Sequence, residues 1–467
     1  MTDETREQIR DNARYLRSVR PIDPDEIFEY VEGQPHPGVV RQILREEAVD
    51  LGLLEQDDGT FVPAPEGPIT VPFHGVEWFP SAYERVVDDL LTDAYGPDWE
   101  HGESGDRLRE RIRDVKERYL HGTDVEYDDL TAHGYAIYHL PDYYAAAQYL
   151  LADLAADGLL PSQLRVLDVG AGVGGPAMGL VDLLPDDALL SYHAVEPSAA
   201  ADVLETLLET TGSNVQWSVH RERAEGFDPE GEYDLVLFSN VLSELADPVA
   251  VVQRYLSALA PDGTLLAMAP ADKNTATDLR TVERAVADEG PATVYAPTVR
   301  LWPHLTPESD SWSFDRKPDI EVPDLQRRLD DAGPGEGEFV NVDVQYAFSV
   351  LRTDGRTRIE LTPDRGTHAP MADAESYVTG RVNLLAIKLS HDLSDGEHAN
   401  PLYLLGDGSQ AVDHFAVVTE PSLLNDDLQA ADYGDLLSLQ NALVLWNDDK
   451  GAYNVVIDGE TTVDRAR

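Results

Sequence analysis

The chain contains no cysteine among its 467 residues. That excludes disulfides, thiolate zinc sites, cysteine-ligated iron–sulfur clusters and any catalytic thiol. Lysine is almost as scarce: Lys116, Lys273, Lys317, Lys388 and Lys450 are the full set, and every other basic residue is arginine. Positive charge as a whole is in short supply, with 35 basic residues against 88 acidic ones and a formal net charge of −53. The acids are spread along the chain and do not gather in a tail. Such a surface stays soluble in concentrated salt, where counterions screen its self-repulsion, so the composition predicts a halophilic, cytoplasmic protein. The charge reports on the solvent and does not exclude a polyanionic partner. Long apolar runs are missing too. No stretch of about 18 uncharged apolar residues predicts a membrane span, and the opening MTDETREQIRDN is polar, so no membrane partner is expected.

What is present is enough for real cores, since 42% of residues are hydrophobic. The length suits two to four domains. Residues 2–19 read as an amphipathic helix with Arg6, Arg10, Arg14 and Arg17 on one stripe and Ile9, Ala13 and Leu16 on another. Asp23 followed by Pro24 starts a second helix, residues 35–54 form a third ending near Gly52, and a hairpin turns at Asp58–Gly59. This is the outline of a winged helix-turn-helix, a module that contacts either nucleic acid or protein. Residues 71–156 are mostly helical. Within them RLRERIRDVKERYLHG (107–122) is locally basic. It is either a phosphate-binding window or a solvated helix whose charges pair at i,i+3 and i,i+4, and the second reading is favoured.

Residues 164–270 alternate strand and helix, which predicts a doubly wound parallel α/β sheet. After AGPGEGE (332–338) the pattern becomes β-type, from FVNVDVQYAFSVL to ALVLWNDDKGAYNVVIDG. The expected division is a winged-helix-like module over 1–66 and a helical region over 67–156. A ligand-binding domain over 157–335 and an OB-like β domain over 336–467 complete it.

The first strand runs into VLDVGAGVGGPAMGL (166–180), with five glycines in ten residues. Gly170, Gly172 and Gly174 with Gly175 satisfy GxGxxG, a weak signal that fits a dinucleotide as well as other ligands. Asp168 sits two residues earlier. A carboxylate there repels a pyrophosphate but suits an ammonium group, such as the one on the methionine moiety of S-adenosylmethionine. The alternative is that Asp168 only caps the glycine turn. Glu196 ends the second strand, 28 residues on, where an acid can accept both ribose hydroxyls. Glu222, or the backbone at Ala224–Glu225, is placed to meet the adenine, and Ser239 and Asn240 fall at the carboxyl edge after the fourth strand. Jointly these residues predict S-adenosylmethionine as cofactor and a class I, Rossmann-like methyltransferase fold. No metal is expected. No catalytic base is identifiable. The segment after strand four lacks an Asn/Asp-Pro-Pro-aromatic motif, and without cysteine the covalent route to pyrimidine C5 is closed.

The Tyr/Pro-rich helix GYAIYHLPDYYAAAQYLLADL (134–154) leading into the glycine loop resembles the small-ribosomal-subunit-associated methyltransferase-like family. FSNVLSEL (238–245), the Pro/Trp-rich YAPTVRLWPHLTPESDSWSFDR (295–316) and a β-rich end with Gly434–Asp435 are similar to its later segments. The resemblance implies a methyltransferase-like protein that modifies or assembles with the small ribosomal subunit and its rRNA. Many members hold an iron–sulfur cluster through cysteines in the Pro/Trp-rich stretch. Here Ser313 stands in that stretch and no cluster is expected, so Tyr295, Trp302, His304 and Trp312 are expected to staple the loop by packing. Rival readings are a non-catalytic assembly factor that binds the cofactor structurally, and a methyltransferase acting on a small molecule or a protein. The oligomeric state is left open.

Overall fold

Strands such as QLRVLDV and LLSYHAV are apolar on both alternating faces, the pattern of strands covered on two sides. The computed structural model describes residues 3–120, 125–396 and 398–466. It divides into two units, one of 1–239, 258–263 and 318–344, the other of 240–257, 264–317 and 345–467. Thr2 and His121–Gly122, the ends of the two basic segments, lie outside the described residues.

The first unit opens with helices Asp3–Leu16, Pro24–Ile27, Pro37–Glu46 and Ala48–Leu51, then an antiparallel pair, Leu53–Glu55 with Phe61–Pro63. Asp23 caps the second helix by accepting from the Asp25 N–H, and Gly52 ends the fourth at φ 58°. Ile9, Ile22, Ile27, Ile43 and Phe61 form its core. The basic stripe is not free. Arg6 pairs with Glu46 and Glu47, and Arg10 reaches Glu47 at 3.2 Å.

The parallel sheet of this unit has strands β1 (Gln163–Val169), β2 (Leu189–Val195), β3 (Val215–His220) and β4 (Tyr233–Ser239), in the order β3–β2–β1–β4. The order reverses beside β1, which places the ligand crevice outside the carboxyl ends of β1 and β4. Helix α1 (Leu140–Ala156) precedes the sheet, and α2 (Gly175–Leu183) and α3 (Ala200–Leu208) connect its first strands. Pro176 sits in the first turn of α2, where its missing N–H matters little. The segment between β3 and β4 holds only turns.

In the second unit, helices α4 (Pro248–Leu256) and α5 (Lys273–Ala287) are capped by Asp247 and Asp272. Strand β5 (Leu259–Pro270) gives its first residues to the first unit and the remainder here. Its Leu265–Pro270 portion pairs antiparallel with β7 (Gln345–Arg352), which also pairs with β6 (Thr293–Ala296). The sequence boundary at 332–338 therefore falls before a strand that joins β5 and β6 and not the C-terminal β domain. Its alternating apolar pattern carries no signal of which sheet it completes.

The β domain itself begins at Arg381. Strands β8 (Arg381–Lys388), β9 (Leu402–Gly406), β10 (His414–Val418), β11 (Leu436–Asn447) and β12 (Ala452–Ile457) pair in the ring β8–β9–β10–β12–β11–β8, with β10 and β12 parallel; β13 (Thr462–Arg465) adds to β11. A five-stranded ring of this kind closes on its own core, which includes Leu384, Leu405, Leu439 and Val455. Among the described residues, no helix is long and apolar enough to cross a membrane.

Candidate functional site

At the carboxyl end of β1 the chain makes three left-handed residues, Gly170 (φ 72°), Gly172 (φ 54°) and Gly174 (φ 91°). Only glycine adopts these without strain. Their N–H groups are arranged by neighbours: Gly170 donates to the Val195 carbonyl at 2.8 Å, and Gly172 to Oε2 of Glu196 at 2.9 Å. Oε1 of Glu196 accepts from the Ser198 N–H at 2.9 Å. The turn is thus tied down by Glu196, not capped by Asp168.

Asp168 is fully buried and pairs in register with Ala194 and Leu237 of the flanking strands. Its Oδ2 accepts from the Tyr192 hydroxyl at 2.7 Å, while its Oδ1 is buried with no hydrogen-bond partner among the described residues. Burial pushes its pKa up to about 7, with Glu196 adding to the rise and the Tyr192 bond opposing it. Ser239, at the end of β4, holds a buried Oγ that also lacks a partner. A carboxylate oxygen and a hydroxyl left bare at the switch point are groups waiting for a polar ligand.

The other glycines of the run serve packing. A Cβ on Gly175 would come within 2.8 Å of Tyr143 Cβ, and one on Gly179 within 2.7 Å of the Tyr144 carbonyl. Gly175 and Gly179, one turn apart on α2, let α1 lie against it. That contact brings the start of α1 to the glycine turn. There His139 stacks on Tyr143 with ring centroids 5.0 Å apart and meets Tyr135 at 4.9 Å. Nδ1 of His139 lies 3.5 Å from Oδ2 of Asp142, whose Oδ1 is buried without a partner among the described residues. None of these residues was expected at the site, although they lie on a helix whose sequence stands out; the closely spaced Tyr, His and Asp of YHLPDYY were the available signal.

The structure brings Asp168, Gly170, Gly172, Gly174 and Glu196 together, with Ser239 ending the neighbouring strand. Glu222 stands exposed on the turn after β3, and Ala224 and Phe227 are the buried residues of the stretch up to Phe227. Asn240 begins the second unit, at φ 60°, with its N–H donating to the Met268 carbonyl at 3.0 Å.

The stapling residues expected in the Pro/Trp-rich stretch divide. Trp302 and Tyr295 are buried, Trp312 is 43% exposed with its indole N–H on the Ala271 carbonyl, and His304 is exposed in a turn at φ 67°. His304, exposed in its turn, does not staple the loop by packing. Ser313 is buried and bonds the Leu389 carbonyl and the Tyr433 hydroxyl.

Residues 167–265 match a family model described as a methyltransferase domain. Residues 6–57 and 372–466 match the N-terminal and C-terminal domains of a family described as a domain of unknown function, DUF8157. No curated protein matches the sequence. Among solved structures, magnesium protoporphyrin IX methyltransferase from Synechocystis PCC 6803 is similar at 14% identity over 57% of this chain and 96% of that one, with a TM-score of 0.29. An S-adenosylmethionine-dependent methyltransferase from Clostridium acetobutylicum is similar at 12% identity over 37% of this chain and 60% of that one, with a TM-score of 0.24. The matched family model and the strand order about the glycine turn show a methyltransferase domain with a class I, Rossmann-like fold.

Proposed function

We propose that the chain transfers a methyl group from S-adenosylmethionine to a small-molecule or protein acceptor, and that Asp168, Gly170, Gly172, Gly174, Glu196 and Ser239 hold the cofactor. The observation that carries the site is the bare Oδ1 of Asp168, buried beside three left-handed glycines. Asp168 would face the cofactor's ammonium group and Glu196 its ribose hydroxyls, while the glycine turn admits the adenosyl moiety close to the backbone. When bound, the cofactor supplies an electrophilic methyl group on a sulfonium. The chain's own residues bind and orient it and keep water away. Glu222 and Asn240 stand as further candidates for the adenine side and the pocket mouth.

The acceptor implied by the resemblance is the small ribosomal subunit or its rRNA. Its support is the helix 134–154 with the glycine loop. Against it stands the pairing of the arginines that would have met phosphates. Arg109 is buried and bonds the carbonyls of Glu100 and Leu329. Arg111 pairs with Asp128, Arg113 with Glu338 and Arg118 with Asp114. The favoured reading of residues 107–118 as a paired helix is the one that this geometry supports, and on that ground we read the acceptor as a small molecule or a protein. The acidic, lysine-poor composition supports a cytoplasm of concentrated salt as the setting.

The test is incubation of the full chain with methyl-labelled S-adenosylmethionine and a fractionated extract at molar salt. Label in small molecules or protein supports the proposal. Label in small-subunit rRNA moves the acceptor to the ribosome, and no label with cofactor binding retained overturns turnover altogether.

A further inference from the structure

Helix α5 carries two charged side chains into the interior of the second unit. Arg280 is 1% exposed and Glu283 2%. Nη1 of Arg280 donates to Oε2 of Glu283 at 2.7 Å, and the same oxygen accepts from the Ser349 hydroxyl at 2.8 Å. Oε1 accepts from the Thr298 hydroxyl at 2.5 Å and lies 3.4 Å from Arg300, whose closer partner is Asp288 at 2.9 Å. Arg284 donates to the Ser309 carbonyl from the same cleft. Nearby Asp315 is engaged by Lys317 at 2.9 Å. Three guanidiniums therefore meet two carboxylates, Glu283 and Asp288. A positive charge left over in so enclosed a place is costly unless an anion joins it.

One guanidinium edge shows where such an anion would sit. Nε and Nη2 of Arg280, the two parallel donors away from Glu283, are buried and have no hydrogen-bond partner among the described residues. Buried donors of a charged group are rarely left bare. The cleft lined by Arg280, Arg284, Thr298, Arg300, Ser311 and Gln410 offers about 10 Å³ to the centre of a water-sized guest. That is room for about one such guest, and too little for a phosphate or a carboxylate-bearing metabolite.

We propose that this cleft is a halide site, with one chloride held by Nε and Nη2 of Arg280 and surrounded by Arg284 and Arg300. A chloride is moderately larger than water but far smaller than a phosphate, accepts from both bare donors and supplies the missing negative charge. Its effect is on the stability of this unit, because a ligand that binds only the folded state stabilises it by mass action.

The experiment uses crystals of the full chain grown in bromide, read by anomalous diffraction. A bromide peak within hydrogen-bond distance of both Nε and Nη2 of Arg280 is expected; a cleft holding only water overturns the proposal. In solution the melting temperature is followed as chloride replaces methanesulfonate at fixed ionic strength. It is expected to rise in the parent chain and to lose that dependence in Arg280→Met. A bromide peak with a melting temperature indifferent to chloride would mean an adventitious ion only, and that too overturns the proposal. Should Arg280→Met fail to fold, the parent chain's anomalous map and chloride titration still decide.

Discussion

The Tyr192 hydroxyl donates to Oδ2 of Asp168 across 2.7 Å, from one strand to its parallel neighbour, with both side chains buried. The bond steadies the ionised form of a carboxyl that burial has pushed up to about 7. An ammonium-bearing ligand needs that form, so cofactor affinity should rise with pH through neutrality and level off above it. Tyr192→Phe removes the stabilising donor. The midpoint of the affinity–pH curve should then move upward by roughly one unit, the equivalent of a charge-assisted bond worth ~1.5 kcal/mol. Calorimetric titration with S-adenosylhomocysteine from pH 6 to 8.5 reads it. An unmoved midpoint would remove Asp168 from the ammonium.

The same carboxyl couples stability to pH. Its pKa is raised from 3.8 to about 7 in the fold, so between those values the folded chain keeps a proton that the unfolded chain releases. Stability from this group is full below about pH 4 and falls as pH rises to 7. Asp168→Asn does not titrate. The ligand-free variant should therefore melt above the parent at pH 8, by on the order of a few kcal/mol, and the gain should vanish towards pH 4. Cofactor binding should be lost throughout. A variant less stable than the parent at pH 8 would contradict the burial argument.

These two residues also show what the sequence could and could not reveal. Asp168 and Glu196 were legible because a carboxylate beside a glycine turn and another at the next strand end are each placed by strand spacing alone. Their partners were not. Tyr192 reads as one more aromatic in a buried strand, and only the register of β1 with β2 sets its hydroxyl against Asp168. The tie from the Gly172 N–H to Glu196 depends on a side-chain orientation that no spacing encodes. The favoured reading of residues 107–122 as a paired helix made only its local pairs legible, such as Arg118 with Asp114. Arg113 finds Glu338, 225 residues away, and no local pattern reports such a pair. Strand β7 was misassigned because its apolar alternation is equally good in either sheet.

The glycines of the run divide into two kinds that one experiment separates. A Cβ on Gly172 meets nothing within 4 Å, but its φ of 54° is left-handed. Gly172→Ala should lower stability by only about 1–2 kcal/mol while sharply weakening cofactor binding, because the methyl group enters the approach to the turn. A Cβ on Gly179 would lie 2.7 Å from the Tyr144 carbonyl, a backbone atom that cannot step aside. Gly179→Ala should lower stability by roughly 1–3 kcal/mol through overpacking, outweighing the helix propensity of alanine. The folded fraction should bind cofactor normally. Denaturant unfolding paired with cofactor titration distinguishes them, and equal cofactor loss in both would show that α1 packing shapes the site.

In the Pro/Trp-rich stretch, where the resemblance points to a cluster in other proteins, a buried aspartate does the fastening. Oδ2 of Asp407 accepts from the Trp302 indole N–H at 2.8 Å and from the Met371 N–H at 2.8 Å, and Oδ1 accepts from the Ser409 N–H and hydroxyl at 2.9 and 2.7 Å. Trp302 also packs with Leu301, Ile387 and Leu404. Trp302→Phe keeps most of that apolar contact and removes one donor to the carboxylate. It should lower the stability of this unit by roughly 1.5–3 kcal/mol. Asp407→Ala removes the acceptor of the Trp302 indole N–H, the Met371 N–H and the Ser409 hydroxyl, leaves the Ser409 N–H only Gln410, and should be the more severe of the two, through the desolvation of each orphaned group. Thermal unfolding of both variants measures the difference. If Trp302→Phe proves the worse, the loop is held by the volume of the indole ring and not by the hydrogen bonds gathered on Asp407.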